Sequence, residues 1–160
     1  KTHLSAERIV ITHGATEAIN LALRAVTLPG DTVAVESPTF YGVLQILESL
    51  NLRVLEVPAS TPAGIHLPAL EQLLQGPEPI KALIVMPNLH NPLGSIMPDA
   101  HKARLVKLCA EHDTVLIEDD TYGDLVDTEQ PLSIQESMEK QMRAERDRRA
   151  RILTDEGPQQ

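Results

Sequence analysis

The sequence has few aromatic residues, one cysteine and no long apolar run. Its 160 residues include no tryptophan, and its aromatic residues are Phe40, Tyr41 and Tyr122. We therefore expect an aliphatic core, in which each aromatic ring is a candidate for a specific role. Cys109 has no second cysteine to pair with, which excludes an internal disulfide framework and favours a reducing, cytoplasmic location.

Three further absences restrict the classes of function that this sequence can have. No apolar run approaches the roughly 18–20 residues of a membrane-spanning helix, so we expect no membrane partner. The first residues lack the pattern of a secretory signal. The net charge of −9 argues against nucleic-acid contact by this chain. With 42% hydrophobic residues, the composition is that of a globular domain with a sizeable core.

Charge is distributed unevenly along the chain. Residues 1–130 hold 8 basic and 17 acidic side chains, whereas residues 131–160 hold 6 of each, so the density of charge doubles after residue 130. Glycine, proline and β-branched residues also become rarer there. We predict an α/β domain over residues 1–130 and a charged helical tail over residues 131–160.

Short apolar, β-branched runs alternate with helical patterns in the first region. Predicted strands cover residues 8–12, 32–36, 53–57, 82–86 and 114–118, and each reads as buried on both faces. Predicted helices cover residues 15–26, 41–50, 68–74 and 98–112. This alternation predicts a mainly parallel sheet flanked by helices, with ligands bound in loops at the carboxyl ends of its strands.

Two such loops carry candidate binding residues. Residues 13–16 (HGAT) join the first predicted strand to a helix, where free backbone N–H groups can bind an anion; an ordinary tight turn is the alternative. Residues 36–41 (ESPTFY) place two aromatic rings after the second predicted strand. Such a ring either stacks on a planar ligand or covers the core.

Two further loops are polar. Residues 87–94 (PNLHNPLG) form a rigid turn, in which His90 reads as a loop histidine rather than a catalyst. Residues 118–122 (EDDTY) place three consecutive carboxylates at a strand end, which is costly unless a cation, a metal or a proton donor meets them. No His/Cys cluster with metal-ligand spacing accompanies them, so we assign no metal site.

Taken together, the order and spacing of these motifs resemble a known family. The segments ITHGATEAINLALRAVTLPGDTVAVESPTFYG, MPNLHNPLG and LIEDDTYGDL look like the large domain of class I/II aminotransferases, which are pyridoxal 5'-phosphate (PLP) enzymes of fold type I. The forms NPLG, IEDD-x-Y and PTFYG are typical of the aminotransferase-like domain of MocR regulators in the GntR group. The resemblance covers residues from about 5 to 125 and implies a partial fold-type-I domain.

The resemblance implies a role for each motif. Gly14, Ala15 and Thr16 match the turn whose backbone amides hold the cofactor phosphate. Phe40 matches the aromatic residue that stacks on the pyridine ring. Asn91 matches the asparagine that donates to the 3′ oxygen of the ring.

Two further positions come from the DDTY motif. Asp119 matches the carboxylate that pairs with the pyridine nitrogen and so makes the ring an electron sink. Tyr122 matches the tyrosine that also reaches the 3′ oxygen. Glu118 and Asp120 have no such role, and we interpret them as groups at a helix start or behind the site.

The family's Schiff-base lysine follows a serine-rich segment, which this sequence does not contain. We therefore assign no catalytic residue and expect no ordinary transamination by this chain alone. The resemblance implies an amino acid or amine as the small-molecule ligand, weak noncovalent PLP binding, and a homodimer. The family's C-terminal small domain and the regulators' DNA-binding domain have no counterpart in these residues.

The tail suggests a second interpretation. Residues 133–157 resemble the helical segment that follows the band-7 domain of stomatin-like proteins, which oligomerises through helices. Opposite charges four residues apart, such as Glu139 and Arg143, also suit a solvated single helix. A fusion near residues 126–132 and an oligomerising interaction module are hypotheses from this pattern.

Overall fold

A computed structural model describes residues 5–126, and the predicted charged tail lies outside them. The chain divides into two units between Thr121 and Tyr122. The helices of the first unit are α1 (Ala15–Val26), α2 (Tyr41–Ser49), α3 (Leu67–Leu74) and α4 (Asp99–Glu111). Its strands are β1 (Thr32–Ser37), β2 (Arg53–Ser60), β3 (Gly64–Ile65), β4 (Ile80–Val85) and β5 (Val115–Glu118).

The five strands form one sheet in the order β3-β2-β1-β4-β5. All neighbours are parallel except β2 and β3. The register pairs Val35 of β1 with Glu56 of β2 on one side and with Ile84 of β4 on the other. The two central strands, β1 and β4, are almost wholly buried, as expected for aliphatic parallel strands covered on both faces.

Helices cover both faces of the sheet. On β1, Val33 and Val35 join a cluster with residues of α1 and α2, whereas Ala34 points into the opposite cluster with residues of α3 and α4. Residues of β4 alternate in the same way. Full burial of one such aliphatic side chain contributes about 1.5–3 kcal/mol. This architecture confirms the predicted mainly parallel sheet flanked by helices.

The strand order positions the site. From β1 the chain moves outward to β2 and β3, then returns to the other side of β1 as β4 and continues outward to β5. The direction of winding therefore reverses between β1 and β4. In open parallel sheets, ligands bind beyond the carboxyl ends of the strands at this point.

The first predicted strand, residues 8–12, is wrong. Ala6–Arg8 form a 3₁₀ turn, and no strand is assigned to residues 9–12. Ile9, Val10 and Ile11 are 57%, 78% and 94% exposed. An apolar, β-branched run becomes a strand only where a neighbouring strand pairs its backbone, and none of the strands within residues 5–126 does so.

Two other features of the sheet differ from the prediction. The short strand β3 was not predicted; it pairs antiparallel with β2, joining Ala59 to Ile65 and Ser60 to Gly64. Strand β2 is mostly exposed and β5 is partly exposed, so the prediction that every strand is buried on both faces holds only for β1 and β4. Strands away from the sheet centre have less helix cover.

The second unit is described only at its start. Residues 122–126 contain the 3₁₀ turn Gly123–Leu125, closed by a 2.9 Å hydrogen bond from the Leu125 N–H to the Tyr122 carbonyl. No helix within residues 5–126 has the length and apolar character that crossing a membrane requires.

Candidate functional site

The first element of the site is the start of α1. Gly14 precedes this helix with φ of 95°, a backbone conformation that favours glycine, and no side chain caps the helix. The carboxylate of Glu17 is held by the His13 N–H at 2.6 Å. Because Glu17 is the acidic residue of the first helical turn, this contact engages the nearest carboxylate. Among the described residues, no side chain accepts from the N–H groups of Ala15 and Thr16, so these two groups are available to an anion.

The second element is the ring of Phe40, just beyond β1. Phe40 is half-buried against the cluster shared by α1, α2 and the sheet, and its ring centroid lies 4.6 Å from that of Tyr41. The ring lies directly over Gly42: a Cβ atom there would be 2.8 Å from Cζ of Phe40. The Phe40 ring can occupy this position because Gly42 has no side chain.

The third element is the loop after β4, which carries Asn91. The Asn91 N–H donates to Sδ of Met86 at 3.0 Å, and the Gly94 N–H closes the turn on the carbonyl of His90 at 2.6 Å. The half-buried side-chain amide of Asn91 makes no hydrogen bond within residues 5–126. The turn thus holds a polar side chain that is available to a ligand.

The fourth element is Asp119, the residue after β5. Its N–H donates to the carbonyl of Val85 at 2.8 Å, which continues the contact between β4 and β5 beyond their ladder. Its carboxylate is 9% exposed and accepts from the N–H and hydroxyl of Thr121. No cationic side chain of the described residues pairs with it, although a buried carboxylate normally has such a partner.

The two carboxylates next to Asp119 have different surroundings from it. Asp120 accepts a 2.6 Å hydrogen bond from Nδ2 of Asn88, and Nζ of Lys102 donates to Oδ1 of Asn88 at 2.8 Å. Glu118 is exposed. Asp120 is thus bonded to the loop after β4, whereas Asp119 has no cationic partner among residues 5–126.

The sequence pattern did not predict a buried contact between Glu36, near the end of β1, and His90, in the loop after β4. Oε2 of Glu36 lies 3.1 Å from Nε2 of His90, with both side chains at most 2% exposed. The contact does not meet hydrogen-bond geometry, and Nε2 of His90 has no hydrogen-bond partner among the described residues. His90 lies in the loop after β4, as predicted, but its burial against Glu36 was not predicted. A glutamate ending a run of buried aliphatic residues was the available signal.

Tyr122 is the remaining predicted contact. It opens the second unit and precedes the Gly123–Leu125 turn. Its approach to the other candidates stays a prediction. Among residues 5–126, no group of three His, Cys, Asp or Glu side chains is arranged to hold a metal ion.

The described loops share one edge of the sheet. Phe40, Asn91 and Asp119 follow β1, β4 and β5, which are consecutive in the sheet and parallel. Gly14 opens α1, which packs on the same sheet through Ile19. These features define an α/β domain whose candidate binding loops follow neighbouring parallel strands.

Comparison with known proteins identifies the class. A sequence model of the family described as aminotransferase class I and II matches residues 1–153. This chain therefore belongs to the aminotransferase class I and II family. The match extends through most of the tail, and the comparisons give no support to a stomatin-like origin for it; the tail lies outside the described residues.

Similar proteins include a regulator and enzymes. The chain is 48% identical over 128 residues to the HTH-type transcriptional regulator YjiR of Escherichia coli, covering 80% of this chain and 27% of the relative. The structure of kynurenine aminotransferase from Pyrococcus horikoshii, in complex with PMP, matches with a TM-score of 0.62 and 30% identity. That match covers 68% of this chain and 28% of the enzyme.

A second solved structure gives the same result. LysN, the alpha-aminoadipate aminotransferase of Thermus thermophilus, was solved with N-(5'-phosphopyridoxyl)-L-leucine. It matches with a TM-score of 0.62 and 32% identity over 67% of this chain and 27% of the enzyme. The chain thus spans about a quarter of the length of these relatives.

Proposed function

We propose that this chain forms part of the PLP-binding site of an aminotransferase-fold domain and holds the cofactor through noncovalent contacts. The observation that carries the proposal is the buried carboxylate of Asp119, which has no cationic partner among residues 5–126. A protonated pyridine nitrogen would supply that missing charge.

The other described groups fit the remaining parts of the cofactor. The free N–H groups of Ala15 and Thr16, next to the open backbone of Gly14, suit a phosphate at a helix start. The ring of Phe40 suits stacking on a pyridine ring. The unengaged amide of Asn91 suits donation to the 3′ oxygen. Tyr122 is proposed as a second donor to that oxygen.

When bound, PLP supplies an electron sink for a carbon atom next to an amino nitrogen. Asp119 would hold the proton on the ring nitrogen, Phe40 would orient the ring, and the start of α1 would neutralise the phosphate. The sequence contains no lysine in the context of the family's Schiff-base residue. The proposal is therefore limited to binding and orientation.

The ligand class and the parent protein follow the relatives. The LysN structure contains a phosphopyridoxyl amino acid, and YjiR is an HTH-type transcriptional regulator. We propose an amino acid or amine as the partner of the bound cofactor. The identity to YjiR supports a MocR-type regulatory domain over a metabolic enzyme.

The test uses pyridoxine 5'-phosphate, which lacks the aldehyde and cannot label surface lysines. Titration of the full chain, measured by equilibrium dialysis, should give saturable binding. Asp119→Asn should weaken that binding roughly tenfold, since a charge-assisted bond is lost. Glu118→Gln, which alters the exposed neighbour, should not weaken it.

Two results would overturn the proposal: no saturable binding by the wild-type chain, or equal binding by Asp119→Asn. The limit to noncovalent binding has its own check. After addition of PLP and reduction with borohydride, a stoichiometric adduct at one specific lysine would contradict it.

A second candidate function is oligomerisation through the tail. The resemblance of residues 133–157 to the oligomerising helical segment of stomatin-like proteins motivates this candidate. Opposite charges four residues apart, as in the pair Glu145 and Arg149, suit a solvated single helix, which is the alternative. Sedimentation of the chain with and without residues 131–160 measures its size in solution. An unchanged oligomeric state would exclude this function, and a homodimer that persists without the tail would assign assembly to the α/β region.

A further inference from the structure

Glu36 and His90 are buried, face each other and lie outside the predicted cofactor contacts. Their side chains are 2% and 1% exposed. Burial of a carboxylate and an imidazole is unfavourable unless each compensates the other. Such a pair next to two candidate binding loops requires a reason beyond packing, because the buried residues of the two core clusters are almost all aliphatic.

Each member of the pair is also fixed to the backbone. Oε2 of Glu36 accepts a 2.8 Å hydrogen bond from the Met86 N–H, which lies just after β4. Nδ1 of His90 accepts from the Leu93 N–H at 3.3 Å, which places the ring proton on Nε2. The His90 N–H donates to the carbonyl of Ser95 at 3.0 Å.

These contacts join two loops. Glu36 belongs to β1 and lies four residues before Phe40, while His90 directly precedes Asn91. The pair therefore joins the end of β1 to the loop after β4, the two segments of the chain that lead to Phe40 and Asn91. A shift of either partner would alter the spacing between Phe40 and Asn91.

We propose that Glu36 and His90 are positioning residues that set the spacing of Phe40 and Asn91 for a pyridoxal ring. The inference rests on the proposed function, since the ring contacts are part of it. The phosphate contacts lie elsewhere, at the start of α1. Loss of the pair should therefore impair ring binding while phosphate binding is retained.

The binding test compares pyridoxine 5'-phosphate with inorganic phosphate on the full chain. His90→Leu and Glu36→Gln should each weaken pyridoxine 5'-phosphate binding roughly tenfold, as expected when a buried partner is lost. Inorganic phosphate should bind within about twofold of wild type, because α1 is unchanged. His90→Gln keeps a polar side chain opposite Glu36 and should restore most of the affinity.

A double variant separates positioning from stability. His90→Leu alone removes the polar group that faces the buried carboxylate of Glu36 and should lower Tm. Glu36→Gln combined with His90→Leu replaces that carboxylate with an amide and keeps an acceptor for the Met86 N–H, so Tm should partly recover. Pyridoxine 5'-phosphate affinity should stay low. Glu56→Gln is the matched control, because Glu56 is an exposed carboxylate bonded to Ser37 at the same strand end.

A second readout needs no ligand. The chain has a single phenylalanine, so fluorophenylalanine labelling gives one ¹⁹F signal, from Phe40. That signal should move in His90→Leu and stay in place in Glu56→Gln. If the wild-type chain binds no pyridoxine 5'-phosphate, the proposed function fails, and the ¹⁹F signal alone decides whether the pair positions Phe40.

Three results would overturn the inference. They are an unmoved ¹⁹F signal in His90→Leu, equal loss of affinity for phosphate and pyridoxine 5'-phosphate, and recovery of both Tm and ring affinity in the double variant. The last two would reduce the pair to a purely structural role.

Discussion

The ring of Phe40 occupies the space that a side chain at Gly42 would need. A Cβ atom at Gly42 would lie 2.8 Å from Cζ and 3.1 Å from Cδ1 of Phe40, well inside ordinary contact distance. Gly42 is buried in the first turn of α2, so its own backbone has little freedom to retreat. The position of the ring therefore depends on the absence of a methyl group two residues later.

Gly42→Ala should displace the Phe40 ring more than it destabilises the fold. Alanine favours helix by up to about 1 kcal/mol over glycine, which offsets part of the overpacking cost. Pyridoxine 5'-phosphate binding should weaken roughly tenfold, and the ¹⁹F signal of Phe40 should shift. Gln45→Ala, on the exposed face of the same helix, is the control. An unmoved signal in Gly42→Ala would contradict the prediction.

Gly14→Ala should weaken phosphate binding through the backbone. With φ of 95°, Gly14 holds a conformation that costs an L-residue about 1–2 kcal/mol, and a new Cβ would meet nothing within 4 Å. Relief of that strain should reorient the start of α1. Gly30→Ala is a matched control, with φ of 91° and equally open surroundings.

Both glycine variants should unfold at lower urea concentration, but only Gly14→Ala should lose affinity for inorganic phosphate. Equal affinities in the two variants would mean that α1 does not bind the anion.

Asn88 should contribute more to the free energy of unfolding than a typical surface polar residue does. It accepts from Lys102 at 2.8 Å and donates to Asp120 at 2.6 Å, so it separates a cation and an anion that do not touch directly. Asn88→Ala removes both bonds and should lower the free energy of unfolding by about 1–3 kcal/mol.

Urea unfolding measures this cost. Lys107→Ala, which removes an exposed pair with Glu111, should change the free energy of unfolding by less than about 0.5 kcal/mol. Comparable losses in Asn88→Ala and Lys107→Ala would show that the bridge contributes little.

Ionisation of the Cys109 thiol should lower the free energy of unfolding in alkaline solution. Burial raises the pKa of its thiol from 9.0 to about 11. Between these two values the folded chain retains a proton that the unfolded chain has lost. The free energy of unfolding should therefore fall as pH rises, by about 1.4 kcal/mol per pH unit, while below this window the contribution is fully present.

Unfolding of wild type and Cys109→Ala at about pH 8 and about pH 10.5 checks this difference, since the alanine variant lacks the titrating group. The measured quantity is the change with pH, so any loss of packing in the variant cancels. Parallel pH profiles would refute the prediction.

The sequence predicted most of the sheet because its buried strands are aliphatic and regularly spaced. The predicted β1, residues 32–36, differs from Thr32–Ser37 by one residue. The prediction failed at residues 8–12, where the same β-branched pattern lacks a pairing strand among the described residues. It also missed β3, whose two residues are too few to show a period.

The site was partly predictable for a similar reason. Asn91 and Asp119 follow strands, so topology alone brings their loops to one edge of the sheet. The link between Glu36 and His90 could not be read from periodicity, because it joins side chains 54 positions apart through one contact. Sequence spacing does not show which buried polar groups face each other.

Strand β1 has a consequence for how the first unit unfolds. Its alternate residues, Val33 and Ala34, belong to opposite hydrophobic clusters, and Leu83 and Ile84 of β4 are divided in the same way. Neither cluster can be lost without unpairing strands that the other cluster needs. Residues 5–121 should therefore melt in a single cooperative transition, with both layers of helices lost together.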